Sequence, residues 1–152
     1  MGLPQLYKCV ASELERVRMA VKSTLQRSYG SPPLWDTVEW QRSKRLIARA
    51  IAFCLCRAAG CKVYIADVHG GEPSAGLGGK DIDLIADCPS TIDLTAVERM
   101  AEELVATMLE NVLASDPYRV LAVPNLVELH TSREYLFEKY LESGPPYVFR
   151  LC

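Results

Sequence analysis

The chain has 152 residues, and its 17 Lys and Arg against 19 Asp and Glu give a formal net charge of −2. With 49% apolar and 24% charged residues the composition excludes a disordered chain, and the length predicts one domain over residues 1–152. The near-neutral balance argues against a broad basic surface for duplex nucleic acid. No apolar run reaches the roughly 18–20 residues that cross a bilayer, and the N-terminus lacks a signal-peptide pattern. We therefore expect a soluble, cytoplasmic protein without a membrane segment.

The first part of the chain predicts two helices. Residues 3–28 have apolar side chains at steps of three and four, and the segment around Gly30 ends this helix. The second helix is expected to begin near Asp36, an N-cap with Glu39 three residues later, and to end near Ala59. Its second half is apolar almost all round, which indicates a central, buried element.

The rest of the chain alternates between strand and helix patterns, which indicates an α+β protein with a small mixed sheet packed by helices. A third helix is expected to follow its N-cap, Asp93. The other predicted elements, in chain order, are a strand at 62–69, a glycine-rich loop at 70–79, a strand at 81–87, an apolar segment at 118–123, a strand at 126–130 and a short helix at 131–142.

Six cysteines lie scattered along the chain, and their positions predict buried thiols. A chain of this length does not need covalent staples, and Cys54, Cys56 and Cys61 lack the paired CxxC or His ligands of a zinc site. The chain also has only two Asn and three Gln. Scarce amides are typical of thermophile proteins, some of which form disulfides inside the cell. Disulfides are therefore the alternative to ordinary thiols.

Two aspartates, Asp81 and Asp83, stand at the start of the second predicted strand. Their spacing points both side chains to the same face. Paired carboxylates repel unless one is protonated or a cation lies between them, and Mg²⁺ or Mn²⁺ prefers such oxygen ligands. The preceding loop is not a P-loop, because Lys80 is followed by Asp81 and by a strand. The simpler interpretation is an exposed strand with charges on its solvent face.

The period-two alternation of the predicted strands places further polar residues on shared faces. It places Asp67 and His69 on the same face of the first strand as Ile65, and it places Glu128 with His130 on one face of the later strand. If the three strands are neighbours, six polar side chains converge on one sheet surface, and a metal ion would offset the cost of burying them. These residues are Asp67, His69, Asp81, Asp83, Glu128 and His130.

The glycine-rich segment and the strand after it resemble a known family. A strand, the Gly70-Gly71 turn, a glycine-rich loop and then Asp81-Ile82-Asp83-Leu84 are similar to the motif of the minimal nucleotidyltransferase superfamily. The resemblance covers about residues 45–131 and leaves residues 1–40 as an N-terminal helical extension. It implies a polymerase-β-like nucleotidyltransferase core with two N-terminal helices.

The resemblance also implies a function. In this family two Asp side chains ligate Mg²⁺, a third carboxylate completes the site, and the glycine turn contacts the triphosphate. An Mg²⁺- or Mn²⁺-dependent nucleotidyltransferase is therefore expected, which transfers a nucleotidyl group from an NTP to a hydroxyl of a protein, an RNA or a small molecule. The implied residues are Asp81, Asp83 and Glu128 for catalysis and metal binding, Gly70, Gly71 and Lys80 for the nucleotide, and Asp67, His69 and His130 as accessory groups.

Two other functions stay open. The family usually has Ser where this chain has Gly71, which favours a catalytically degenerate binding or regulatory module, such as an antitoxin-like partner protein. Exposed positions for Trp35 and Trp40 would also favour such a module, although packing between helices explains them more simply. The two histidines favour a metal-dependent hydrolase with a transition metal. A protein partner or a homo-oligomer is compatible with each of these functions.

Overall fold

The computed structural model describes residues 2–30, 34–66, 80–116, 125–131 and 148–152. Across these residues the fold is α+β, with three helices and a small mixed sheet, as the sequence predicts. The elements in chain order are α1 (Leu3–Gln26), a short 3-10 helix (Leu34–Asp36), α2 (Val38–Ala59), β1 (Lys62–Ala66), β2 (Ile82–Asp87), α3 (Leu94–Val112), β3 (Val127–Thr131) and β4 (Val148–Arg150).

Local signals place the helix ends close to their predicted positions, with one correction. The N-cap of α2 is Thr37, whose hydroxyl accepts a hydrogen bond from the Trp40 amide at 3.1 Å. Asp36 was expected in this role and instead lies in the 3-10 helix. At the other end Gly60 has a φ of 71°, a left-handed conformation that favours glycine. Asp93 caps α3 as predicted and accepts from the Ala96 amide.

The sheet has the strand order β3-β2-β1-β4. β2 pairs antiparallel with β1 and parallel with β3, while β4 pairs antiparallel with β1 on the far side. The parallel pair is joined through α3, because a parallel connection needs a crossover long enough for a helix. β4 is not among the predicted strands, since three residues are too few to show a periodic pattern.

The core lies between the helices and the sheet, with α2 at its centre. Ile47, Ile51 and Leu55 of α2 are fully buried, which confirms the prediction that its second half is a central element. Phe53 remains 40% exposed, so one side of this apolar helix does face solvent. α1 packs along α2 and also against α3 through the buried side chains of its apolar stripe, Leu6, Val10, Leu14, Val21 and Leu25.

Two glutamates of α3 cover the outer edge of β3. The carboxylate of Glu102 accepts a hydrogen bond from the Val127 amide at 2.7 Å, and that of Glu98 accepts from the Leu129 amide at 2.8 Å. These amides belong to the strand at the end of the sheet, and no further strand among the described residues accepts from them. The helix therefore takes the place of a neighbouring strand along this edge.

All six cysteines form disulfides, which corrects the expectation of buried thiols. The three cysteines in or next to α2 each bond to a different part of the fold. One bond reaches α1, one reaches the last residue of the chain, and one reaches the segment after β2. The pairs are Cys9–Cys54, Cys56–Cys152 and Cys61–Cys88. Sequence spacing missed them because the partners lie between 27 and 96 residues apart.

Some predicted elements involve residues that the structure does not describe. The apolar segment at 118–123 and the short helix at 131–142 lie outside the described residues, apart from Thr131, which ends β3. The same holds for the last part of the strand predicted at 62–69, of which residues 62–66 form β1.

Among the described helices, none combines the length and the apolar character that crossing a membrane requires.

Candidate metal centre

The centre of the site is a pair of carboxylates on neighbouring strands. In the parallel pairing of β2 and β3, Asp83 lies directly opposite Glu128. Residues in register on adjacent strands point to the same face, so the two side chains meet there. The Asp83 side chain is only 7% exposed, while that of Glu128 is 36% exposed. The register thus places one buried and one accessible carboxylate side by side.

The surroundings of Glu128 raise its pKa. Burial, the hydrogen bond with Asp83 and the negative charges of Asp83 and Asp81 together raise the pKa of Glu128 from 4.5 to about 7. The nearby His130 acts in the opposite direction. Because the protonated form of Glu128 can donate to the Asp83 carboxylate, the proton relieves the repulsion that a cation would otherwise relieve. The effect of Asp81 on this pKa also indicates that a third carboxylate lies within electrostatic range.

His130 completes a cluster of three potential ligands. It follows Glu128 by two residues on β3, so both side chains lie on the same face of the sheet. Its Nε2 lies 3.2 Å from Asp83 Oδ1 and 3.7 Å from Glu128 Oε2. Asp83, Glu128 and His130 each offer a ligand atom, and these atoms lie within 4.8 Å of one another. The cluster has the size of the ligand set of a single metal ion.

Asp81 and Lys80 stand at the entrance to β2. Lys80 Nζ lies 2.9 Å from Asp81 Oδ1, and it also donates to the carbonyl oxygen of Asn125 at 3.4 Å. Asn125 has a φ of 57°, a left-handed conformation that Asn tolerates better than most residues. The ion pair places a positive charge at the edge of the acidic cluster, and the nucleotide-binding role of Lys80 stays a prediction.

Two side chains of α2 hold the backbone where the chain enters β2. Trp40 Nε1 donates to the Lys80 carbonyl oxygen at 3.1 Å, and Lys44 Nζ donates to the Asp81 carbonyl oxygen at 3.1 Å. Lys44 is only 1% exposed. It is not among the site residues that the sequence predicts. The sequence feature that could have identified Lys44 is its position four residues after Trp40, which puts both residues on the buried face of α2.

The tryptophans do not form an exposed surface. Trp40 is fully buried, and its ring meets that of Trp35 edge to face with the centroids 4.9 Å apart. Trp35 is partly buried and packs against the hydrophobic core. The packing interpretation is therefore correct, and the tryptophans no longer favour a binding module.

The described part of β1 does not extend the acidic face in the expected way. Ile65 pairs with Leu84 and Ala66 with Asp83, so the face of β1 that carries Val63 and Ile65 lies opposite to the face that carries Asp83. The expectation that alternation would align the Ile65 face with the two aspartates is therefore wrong. The predicted site residues Asp67, His69, Gly70 and Gly71 lie outside the described residues.

The cluster fits a divalent cation by the chemistry of its donors. Asp83 and Glu128 offer oxygen ligands that suit Mg²⁺ or Mn²⁺, and His130 adds a nitrogen donor. The raised pKa of Glu128 reflects burial and the nearby negative charges of Asp83 and Asp81, which a bound cation would offset. Comparison with known proteins assigns no family to this arrangement, since no family model, no curated protein and no solved structure matches the chain.

Proposed function

We propose that this protein transfers a nucleotidyl group from an NTP to a hydroxyl acceptor with the help of Mg²⁺ or Mn²⁺. The observation that carries this proposal is the meeting of Asp83 with Glu128 across two parallel strands, with Asp81 near enough to affect the same proton. The resemblance of the Asp81-x-Asp83 segment to the nucleotidyltransferase motif supports it. A polymerase-β-like core is part of the same proposal.

Each carboxylate has a role in this reaction. Asp81 and Asp83 hold the divalent cations, and Glu128 completes the ligand set. Divalent cations held by these carboxylates would neutralise the charge of the phosphates, and the acceptor oxygen would attack the α-phosphorus with pyrophosphate as the leaving group.

Charge near the cluster supports an anionic substrate. The ammonium groups of Lys80 and Lys44 lie beside Asp81, one at its side chain and one at its carbonyl oxygen. Two cations bound by the carboxylates would make the local charge positive, although the protein as a whole is slightly negative. Contacts of Gly70 and Gly71 with the triphosphate remain a prediction from the resemblance.

The test is a transfer assay with α-labelled NTPs, first with Mg²⁺ and then with Mn²⁺. Acceptors are the protein itself, total RNA and a fractionated pool of small metabolites, and released pyrophosphate is measured in parallel. Asp83→Asn should lower labelling at least about a hundredfold, because it removes charge where the phosphates react. Asp87→Asn is the matched control, since Asp87 lies on the same strand but is exposed and stands at its far end.

The outcomes are distinct. Labelling that falls in Asp83→Asn and persists in Asp87→Asn supports the proposal. Equal labelling in the wild type and Asp83→Asn, or no labelling and no pyrophosphate with any acceptor, contradicts it. Circular dichroism of both variants checks that the sheet has formed.

A further inference from the structure

We propose that Asp83, Glu128 and His130 bind a transition-metal ion, with His130 Nε2 as a direct ligand. This inference rests on the proposed function only in that the same carboxylates serve both. It goes beyond that function because a nitrogen ligand changes which metal the site prefers. A purely carboxylate site favours Mg²⁺, whereas an imidazole ligand favours ions such as Co²⁺, Fe²⁺ or Zn²⁺.

The distances between the donor atoms support coordination of a single ion. Metal–ligand bonds of about 2.1 Å place two ligands roughly 3.0 Å apart at a right angle and roughly 3.4 Å apart at the tetrahedral angle. His130 Nε2 lies 3.2 Å from Asp83 Oδ1 and 3.7 Å from Glu128 Oε2. Small side-chain rotations would therefore bring all three atoms onto one ion without a change in the backbone.

The strands hold the three ligands rigidly. The β2–β3 register fixes Asp83 opposite Glu128, and the two-residue spacing on β3 fixes His130 on the same face. The side chains differ in exposure, at 7% for Asp83, 19% for His130 and 36% for Glu128. The cluster is thus buried on one side and open on the other, which leaves room for water or a substrate as a further ligand.

Metal binding requires a defined change in protons. His130 Nε2 lies 3.2 Å from Asp83 Oδ1, within hydrogen-bond distance. An ionised carboxylate only accepts hydrogen bonds, so the tautomer that pairs with it carries the proton on Nε2. Coordination needs the lone pair of Nε2, and the tautomer that binds the ion therefore carries its proton on Nδ1. The ion would then take the place of the hydrogen between His130 and Asp83.

The test is a metal titration of the full chain, prepared free of metal and without any nucleotide. Binding of Co²⁺ is followed by its visible absorption and binding of Mg²⁺ by calorimetry. His130→Gln should weaken Co²⁺ binding at least about tenfold, as expected when a ligand or its support is lost. It should change Mg²⁺ binding less than about twofold, since Mg²⁺ uses the oxygen ligands.

The matched control is Asp87→Asn, which removes a charge from the exposed far end of β2. This variant should leave Co²⁺ affinity unchanged. Pulsed electron paramagnetic resonance of bound Mn²⁺ in wild-type protein adds a measurement that needs no variant, and it should detect a coordinated imidazole nitrogen. Equal Co²⁺ affinity in wild type and His130→Gln overturns the inference, and so does the absence of the nitrogen signal. Loss of Co²⁺ binding in Asp87→Asn overturns it as well.

Failure of this inference and failure of the proposed function are separable. The titration contains no NTP, so a protein that binds Co²⁺ through His130 but transfers no nucleotide refutes only the proposed function. A protein that transfers nucleotides but binds Co²⁺ equally well without His130 refutes only the inference.

Discussion

The raised pKa of Glu128 links the candidate metal centre to the stability of the whole chain. Its pKa rises from 4.5 to about 7 in the folded protein. The folded state therefore binds a proton at Glu128 more tightly than the unfolded state does. The resulting contribution to the free energy of unfolding is fully present below pH 4.5 and is lost as the pH rises through 7. The metal-free protein should melt at a lower temperature at pH 8 than at pH 5, and Glu128→Gln should show a smaller fall.

A saturating divalent cation should offset the fall at pH 8, because it replaces the proton between the carboxylates. Melting curves with chelator and with Mn²⁺ at the two pH values measure both effects. Asp87→Asn is the control and should behave as the wild type does. An identical pH dependence in wild type and Glu128→Gln would contradict the shift in pKa.

Lys44 should contribute more to the stability of the fold than an exposed lysine does. It is fully buried and donates to the Asp81 carbonyl oxygen. Lys44→Met keeps the length of the side chain but removes this charged hydrogen bond, and it should lower the free energy of unfolding by roughly 1.5–3 kcal/mol. Denaturant unfolding measures the loss. Lys8→Met, at an exposed position on α1, should change the stability by less than about 0.5 kcal/mol.

At the scale of the elements, α3 stabilises β3 through its side chains. Glu98→Ala or Glu102→Ala leaves a strand amide at the sheet edge without its acceptor, and each should cost about 1–3 kcal/mol of unfolding free energy. The Gln variants should lose less, because an amide oxygen still accepts. Glu103→Ala on the exposed side of the same helix is the control. Equal stability of Glu98→Ala and Glu103→Ala in denaturant unfolding would refute the role of this edge contact.

The sequence predicts the helices of this fold better than the contacts between its strands. The periodic apolar stripes of α1 and α3 and the cap at Asp93 are local features, so they indicate those helices directly. The pairing of Asp83 with Glu128 depends on the register of two strands about 45 residues apart, which no local pattern encodes. The prediction that the Ile65 face of β1 lies on the same side as the two aspartates is wrong for the same reason. Asp83, Glu128 and His130 could nevertheless be named, because polar residues at alternate positions of apolar strands are unusual.

At the scale of the molecule, the disulfides tie α2 to three separate parts of the fold. Disulfides persist in oxidising compartments and also inside the cells of hyperthermophiles. They limit the conformations of the unfolded chain, and the loss grows with the length of the closed loop. The Cys56–Cys152 bond spans 96 residues, whereas the Cys61–Cys88 bond spans 27. The long bond should therefore contribute more stability.

Replacing either pair by alanine should cost roughly 2–5 kcal/mol of unfolding free energy, with the Cys56 and Cys152 pair costing about 1 kcal/mol more than the Cys61 and Cys88 pair. Urea unfolding without reductant measures both losses. With reductant, wild type should lose stability as well, and the difference between the two variants should narrow. A wild-type protein whose unfolding midpoint is the same with and without reductant would contradict this prediction.

The two glutamates of α3 also limit the registers that β3 can adopt along the helix. Four residues of an α-helix advance about 6.0 Å, and two strand residues advance about 6.6 Å. Glu98 and Glu102 therefore match amides of β3 that are two residues apart. A deletion before β3 that moves the strand by one residue breaks both contacts, whereas a deletion that moves it by two restores them and brings His130 opposite Asp83. The two contacts with α3 therefore allow β3 to move only by an even number of residues, which keeps Glu128 and His130 on the side of the sheet that carries Asp83.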